Sequence, residues 1–417
     1  MKFVTLAILA IAAPALAGTT FFPSLDVNKM HKAELRRERK GVAPHFAVAR
    51  QVRINALQDQ AWTEEGDMMV WRHEVTATNA VSLNFGFGEY SLPEGASLTV
   101  SSKDLRHSIR AFTAADNNSA AELWTPVIMS DSAVIELRVP SASLDETRLV
   151  LTTVGQGFRT FAQKTQKSGS CNVDVVCSDG DQWRDEIGSV AVLSSRGTSF
   201  CTGAMINNTA NDRTPYFLTA AHCRVTAASA PSLVTYWNYQ TAQCGGARNG
   251  QKTQFTTGAT HLATSGKTDF TLVKLNSMPQ RDWGVTFAGW DRSGDDARQA
   301  VAIHHPNTDE KSISFENDPT TVTDYLGEAV PGDGSHIRIT DWDKGTTEPG
   351  SSGSPLFNQD HRIIGQLHGG WASCTSQTSD YYGRLSRSWD GEGARGKRLK
   401  DFLDAGNTGL MVTDTIE

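Results

Sequence analysis

The sequence predicts an all-β protein built in more than one unit, and three observations carry that prediction. Gly is abundant, with 36 among 417 residues, and short β-branched or aromatic runs recur between turn residues. The runs follow one another at close intervals, the rhythm of an antiparallel sandwich or barrel and not of a parallel α/β sheet. All six cysteines stand at or after Cys171, so the chain divides into a cysteine-free first part and a cysteine-bearing second part. Its length exceeds one ordinary domain and suggests two or three units. With 39% apolar and 20% charged residues it can bury a core and is not a disordered polymer.

From the N-terminus, Lys2 precedes an apolar run over residues 3–13, and Ala15-Leu16-Ala17 supplies the small residues a signal peptidase accepts. Residues 1–17 therefore read as a signal peptide cut before Gly18, which makes the protein an exported, extracellular one. The run is too short to span a bilayer, and no other stretch of about 18 apolar residues exists to do so, so no membrane partner is expected. Residues 31–40 (HKAELRRERK) form a lone basic run, read as a solvated helix or a processing region. With a net charge of −7 and no concentrated basic face, nucleic acid is not an expected partner either. Strand-like segments follow at 80–87, 97–101, 133–139 and 149–154. His73-Glu74 opens like a zinc-peptidase HExxH motif, but position 77 is Ala and the second ligand is missing.

Residues 161–170 (FAQKTQKSGS) turn small, polar and basic, as in an exposed linker open to proteolysis. The division is thus 1–17, 18–167 and 168–417. In the last part, strands are expected at 188–193, 199–206, 216–220, 233–239, 270–275, 300–304, 336–340 and 362–367. Residues 397–405 place Leu399, Phe402 and Leu403 at helical spacing, the signature of a terminal helix. No internal repeat or low-complexity tract is found. Cys171, Cys177, Cys201, Cys223, Cys244 and Cys374 read as three disulfides in an exported chain, with fifteen pairings open. A zinc site fails for want of any CxxC pair.

Three segments carry the chemistry. Residues 217–223 (FLTAAHC) end a strand-like run at His222, residues 268–275 (TDFTLVKL) open one at Asp269, and residues 348–357 (EPGSSGSPLF) set Ser352 among glycines just before another. Alone, each has an ordinary reading: a structural histidine, a turn aspartate, a common Gly/Ser/Pro loop. Together they are specific. A serine hydroxyl becomes a nucleophile when an imidazole takes its proton, and a buried carboxylate holds that imidazole in the right tautomer. The order His, Asp, Ser is that of the chymotrypsin type and differs from the subtilisin and α/β-hydrolase orders.

FLTAAHC and GSSGSP resemble the TAAHC and GDSGGP signatures of chymotrypsin-like peptidases. The segments SGSCNVDVVC, INNTANDRTPYFLTAAHC, TDFTLVKLN, FAGWD, AIHHPN, TEPGSSGSPLF and GQLHGG resemble the bacterial lysyl endopeptidases, over roughly residues 168–417. The resemblance implies a chymotrypsin-like double antiparallel β-barrel with a C-terminal helix, preceded by a β-rich propeptide, and a serine endopeptidase that cuts after lysine. It implies His222 as general base, Asp269 as its orienting carboxylate and Ser352 as nucleophile, with Ser351 and Ser354 as alternatives in principle. The N–H groups of Gly350 and Ser352 would form the oxyanion hole.

The same resemblance implies pairing of Cys171 with Cys374, Cys177 with Cys244, and Cys201 with Cys223. Two departures from animal trypsins stand out. Ser351 takes the place of the aspartate that binds a freed N-terminus, so activation must follow another route, such as unblocking of the cleft. Thr346 takes the place of the specificity carboxylate, and Asp380 in TSDYYGR becomes the candidate base of the lysine pocket. His368 and Gly369 would line the substrate cleft, with Tyr325 where the family has a stacking tryptophan. His304 and His305 read as structural rather than as a metal pair. No cofactor or metal is expected; protein and peptide substrates, and the propeptide as an intramolecular partner of a monomer, are. Processing is expected after Lys167 or Lys164. Two other readings stay open: a trypsin-like enzyme accepting Lys and Arg, and a non-catalytic peptidase-like binding protein.

Overall fold

The computed structural model describes residues 18–38, 42–59, 62–159, 169–327 and 334–417. Residues 1–17, and the candidate processing sites Lys164 and Lys167, lie outside these. Two β-rich units follow one another. In the N-terminal unit, a five-stranded sheet runs in the order Gly18–Phe22, Met68–Ala77, Ser132–Pro140, Ser97–Ser102, with Thr63–Glu65 paired to Met68–Ala77. A four-stranded sheet runs Ala47–Asn55, Arg148–Gly157, Leu83–Ser91, Leu123–Trp124. Ser132–Pro140 shows how the layers are made: Ala133, Ile135, Leu137 and Val139 are fully buried and alternate with partly exposed neighbours. Gly18–Phe22 pairs in parallel with Met68–Ala77, a contact across about fifty residues that no local pattern announces.

The C-terminal unit contains the two antiparallel sheets of a chymotrypsin-like fold. The first is seven-stranded, in the order Phe255–Thr257, Val234–Tyr236, Val190–Ser195, Ser199–Met205, Tyr216–Ala220, Phe270–Leu275, Ala259–Ser265. The second is built on Val173–Asp174, Ser312–Glu316, Ala300–His304, Pro355–Asn358, Ile363–Gly370, Asp380–Arg384, His336–Ile339 and Thr321–Thr323. Disulfides join Cys171 to Cys374, Cys177 to Cys244 and Cys201 to Cys223. Behind Cys171, the half-buried Glu348 carboxylate accepts from Gly169 N at 2.9 Å and Asn172 Nδ2 at 2.9 Å. The start of this unit is thereby tied to the loop that bears Ser352.

The core of the N-terminal unit does not stop at its boundary. Phe85, Phe87, Phe112 and Leu123 belong to one buried cluster with Val192, Phe200, Val234, Tyr236 and Phe255 of the first C-terminal sheet. Polar contacts cross at the same place: Asn84 Nδ2 donates to Gly197 O at 3.0 Å and Val127 N to Tyr236 Oη at 3.0 Å. Burying side chains of this size is worth about 1.5–3 kcal/mol each, so the two units are joined by packing as well as by the chain.

Element boundaries differ from expectation in two places. The strand expected from 188 begins at Val190, because Arg184–Ser189 is helical. The terminal helix expected over 397–405 is the single turn Lys400–Leu403, although Leu399 and Leu403 are fully buried and Phe402 packs beside them. It stops at Asp404, whose carboxylate accepts from Thr408 N, Gly409 N and Thr209 Oγ1 and so holds the chain in a turn. A second short helix, Leu385–Asp390, has no counterpart among the expected elements. The basic run falls mostly within the helix Val27–Glu38. Among the described residues, no helix is long and apolar enough to cross a membrane.

Candidate active site

His222 lies in the turn Ala221–Cys223 that ends the strand Tyr216–Ala220, and the Cys201–Cys223 bridge pins that turn to the neighbouring strand. Asp269 stands where the strand Phe270–Leu275 begins, with a left-handed φ of 56°. That conformation suits Asp better than most residues and turns both its carbonyl and its side chain toward His222. Ala221 N donates to Asp269 O at 2.8 Å, His222 N to Asp269 Oδ1 at 2.9 Å, and His222 Nδ1 lies 2.6 Å from Asp269 Oδ2. Because the buried carboxylate only accepts, Nδ1 carries the proton and Nε2 keeps a free lone pair.

Ser352 and His222 line one cleft of about 450 Å³, with Thr347, Pro349, His368, Gly369, Gly370 and Trp371. Gly350 has a φ of 101°, and a Cβ there would fall 2.3 Å from Phe200 Cε2, so the loop can pass only as glycine. Thr202 grips the loop twice: its Oγ1 donates to Gly350 O at 2.8 Å and its N to Ser352 O at 2.9 Å. On the other side Gly353 N donates to Leu367 O at 2.8 Å. Ser351 N and Ser354 N are also bonded within the loop, whereas the N–H groups of Gly350 and Ser352 meet no protein acceptor among the described residues. Ser351 and Ser354 are fully buried; Ser352 alone of the three reaches the cleft.

Ser351 is committed elsewhere. Its Oγ lies 2.8 Å from His304 Nδ1, His304 Nε2 lies 3.0 Å from Ser314 Oγ, and Ser314 Oγ donates to Thr346 O at 2.8 Å. Since Ser314 gives its proton to Thr346 O, it accepts from His304 Nε2–H, and Nδ1 accepts from Ser351. Burial pushes His304 down to about 3 and keeps it neutral. A neutral hydrogen-bonded chain therefore supports the loop that bears Ser352.

Asp380 begins the strand Asp380–Arg384 and is 1% exposed. Trp342 Nε1 donates to its Oδ2 at 2.8 Å and Thr347 Oγ1 at 2.7 Å. Burial raises its pKa above the usual carboxylate value, against the lowering effect of Trp342 and Thr347. A Cβ on Gly370, which lines the cleft, would lie 2.2 Å from Asp380 Oδ1, so only glycine at 370 lets the carboxylate lie directly behind the cleft wall.

His368 forms the roof. Tyr325 stacks on it at 3.6 Å between centroids and 7° between planes, and Gly369 passes beneath the Tyr325 hydroxyl. His368 Nε2 is 3.8 Å from Asp269 Oδ2, and its Nδ1 is 3.0 Å from Nε2 of the buried His336. Ser335 Oγ donates to Asp324 Oδ1 and lies 2.8 Å from His336 Nδ1. The proton order follows from the carboxylate: Ser335 gives to Asp324, His336 Nδ1–H to Ser335, and His368 Nδ1–H to His336. Burial lowers both imidazoles to about 4. His336 and Trp342 gave no signal in the sequence beyond being a histidine and a tryptophan on or beside a strand. His222, Asp269 and His368 stand close enough for an ion, as do His222, Cys201 and Cys223, but the two sulfurs are oxidised to a disulfide and offer no thiolate.

The chain matches the family model of the lysyl endopeptidase C-terminal domain over residues 165–383 and that of the lysyl endopeptidase N-terminal domain over residues 21–154. It is 32% identical over 293 residues to a lysyl endopeptidase of Pseudomonas aeruginosa, covering 63% of this chain and 61% of that protein's length. Among solved structures, the Rv3671c protease of M. tuberculosis in its active form is similar with a TM-score of 0.33 and 14% identity, covering 54% of this chain and 86% of that one. The MamO protease domain of Magnetospirillum magneticum follows with a TM-score of 0.32 and 14% identity, over 49% and 95%. With the C-terminal family model spanning more than half of its residues, the chain belongs to the lysyl endopeptidase family.

Proposed function

We propose that this chain is the precursor of an exported serine endopeptidase that hydrolyses peptide bonds on the carboxyl side of lysine. The observation that carries the reading is the joint presence in one cleft of Ser352 and of His222, whose Nδ1–H is held by the buried Asp269. His222 Nε2 takes the Ser352 proton as Oγ bonds to the scissile carbonyl carbon, and the carbonyl electrons pass to the oxygen. The free N–H groups of Gly350 and Ser352 receive that oxyanion, each donor worth about 3 kcal/mol. On collapse the imidazolium gives its proton to the leaving amine, and water then releases the acyl group by the same steps. Asp380 pairs with the substrate ammonium at the base of the pocket. Cleavage after Lys167 or Lys164 would release the N-terminal unit and yield the active monomer.

The test is direct. Ser352→Ala, expressed pure, is expected to remain uncleaved and unlabelled by a fluorophosphonate, while the parent chain is labelled. Digestion of a peptide mixture by the active form is expected to give termini at lysine. Frequent cleavage after arginine would replace the lysine reading with a trypsin-like one, and absence of labelling in the parent would leave only a binding role.

A further inference from the structure

Resting on that hydrolytic reading, we propose that residues 42–46 of the N-terminal unit occupy the leaving-group side of the cleft. The intact chain is then kept latent by its own main chain and not by a distorted triad. The strand Ser199–Met205 is paired with Val190–Ser195 on one edge from Ser199 to Ala204, but Tyr216–Ala220 covers the other edge only at Ala204 and Met205. The uncovered stretch bonds instead to two residues that line the cleft, Ser352 and Pro44. Thr202 N donates to Ser352 O, and Phe200 N, two residues back along the same edge, donates to Pro44 O at 3.2 Å. Alternate residues of a strand are about 6.7 Å apart, so Pro44 sits one main-chain step from the carbonyl of the nucleophile.

The side is fixed by what lies beyond Ser352. Its loop is held on one flank by Leu367, behind which come His368–Gly370 and Asp380, the acyl side with the lysine pocket. Residues 42–46 lie against the other flank, on the first sheet. An extended segment paired to a strand edge through its main chain is bound as a peptide is bound by strand addition.

The seat is built on both faces. Phe46 N donates to Thr198 O at 2.8 Å, His45 and Ser199 form an antiparallel bridge, and the buried Ala43 belongs to the same buried cluster as Cys201 and Cys223. Val42 and Pro44 line the cleft itself. From behind, Glu34 Oε2 accepts from His45 N at 2.7 Å, Arg37 Nη2 donates to Ala43 O at 3.0 Å, and Phe46 O accepts from Phe158 N at 3.0 Å. Because His304 already supports the nucleophile loop, occupation of this edge accounts for latency without any rearrangement of Ser352.

The experiment uses the full chain with Lys164→Gln and Lys167→Gln to block processing, and the same chain with Ala43→Glu, which sets a carboxylate in that buried cluster. Two probes are compared: an acyl-lysine p-nitroanilide, with no residue beyond the lysine, and a quenched peptide running at least two residues past it. Both chains are expected to hydrolyse the anilide, and Ala43→Glu to cut the long peptide at least a hundredfold faster than its parent. Equal rates on the long peptide overturn the proposal. If neither chain hydrolyses the anilide, the hydrolytic reading has failed, and docking is read instead by hydrogen exchange in the Ser352→Ala chain. There the Phe200 amide is expected to be protected and to be released by Ala43→Glu; fast exchange in both overturns the seat.

Discussion

Asp380→Asn separates charge from shape in the proposed lysine pocket. Both side-chain donors, Trp342 Nε1 and Thr347 Oγ1, reach the same oxygen, Oδ2. An asparagine oxygen in that place keeps both, and the pocket keeps its volume. What disappears is the counter-charge for a substrate ammonium. A buried ion left without its partner costs about 3–5 kcal/mol, which at 1.4 kcal/mol per tenfold lowers kcat/KM for lysine substrates by about two to three and a half orders of magnitude. Stability moves the other way. Burial holds the folded pKa of Asp380 above its unfolded value, so the stability linked to its protonation is present below the unfolded pKa and lost as pH rises through the folded one. At pH values above the folded pKa its burial opposes folding, and Asp380→Asn removes that opposition while keeping the Trp342 and Thr347 bonds, so Tm is expected not to fall at high pH. The assay compares kcat/KM for acyl-lysine and acyl-norleucine esters, with fluorophosphonate labelling of Ser352 as the control for an intact triad. An equal loss on both esters, or a lysine loss below tenfold, would refute the pocket assignment.

Gly370→Ala puts a methyl 2.2 Å from Asp380 Oδ1 and 2.3 Å from Ser379 O, so lysine ester hydrolysis is expected to fall by about a hundredfold while Ser352 remains reactive to the fluorophosphonate. Unchanged lysine kinetics would place Asp380 outside the pocket. Ser351→Val leaves His304 Nδ1 without its partner, a loss of about 1–3 kcal/mol to be read as a lower Tm in the Ser352→Ala chain; an unchanged Tm refutes the supporting chain. His45, His336 and His368, lowered to about 4, and His304, lowered to about 3, are neutral in the folded protein at pH 5 but protonated once unfolded. Their stabilising contribution is present above the unfolded histidine pKa and fades as pH falls toward these values. Glu310 and Glu316, raised to about 7, act in the opposite sense. His305 is lowered as well, and Asp380 and Glu348 are raised as well, so the histidine share is read by difference: His336→Gln in the Ser352→Ala chain is expected to reduce proton uptake on unfolding at pH 5, measured by calorimetry in buffers of different ionisation enthalpy, and unchanged uptake would refute a neutral His336.

The parts of the site that the sequence disclosed are those where local backbone demands leave a mark on residue type. Gly350 must have no side chain because Phe200 lies beneath it, and Asp269 sits in a left-handed turn, so both segments look unusual in one dimension. His336 and His368 are 32 residues apart, and their partnership exists only because the strands His336–Ile339 and Ile363–Gly370 both flank Asp380–Arg384. Trp342 meets Asp380 across 38 residues for a similar reason. The helix expected over 397–405 is longer than the one that forms, because apolar spacing reports the buried face but not the carboxylate of Asp404 that ends the turn.

The substitution at Ser351 shows how far a motif can be carried. Position tells where the nucleophile loop must be braced from below, but not with what chemistry. A carboxylate there needs a cation, and the cation of a freed N-terminus makes bracing wait for cleavage. A hydroxyl needs only a neutral partner, and His304, made permanently neutral by burial, is present before any bond is cut. If the N-terminal unit is removed as proposed, and bracing does not depend on that removal, restraint of the precursor has to come from something that leaves with it. The edge at Phe200, two residues from the Thr202 amide that holds Ser352 O, is where the proposed restraint by Pro44 would act.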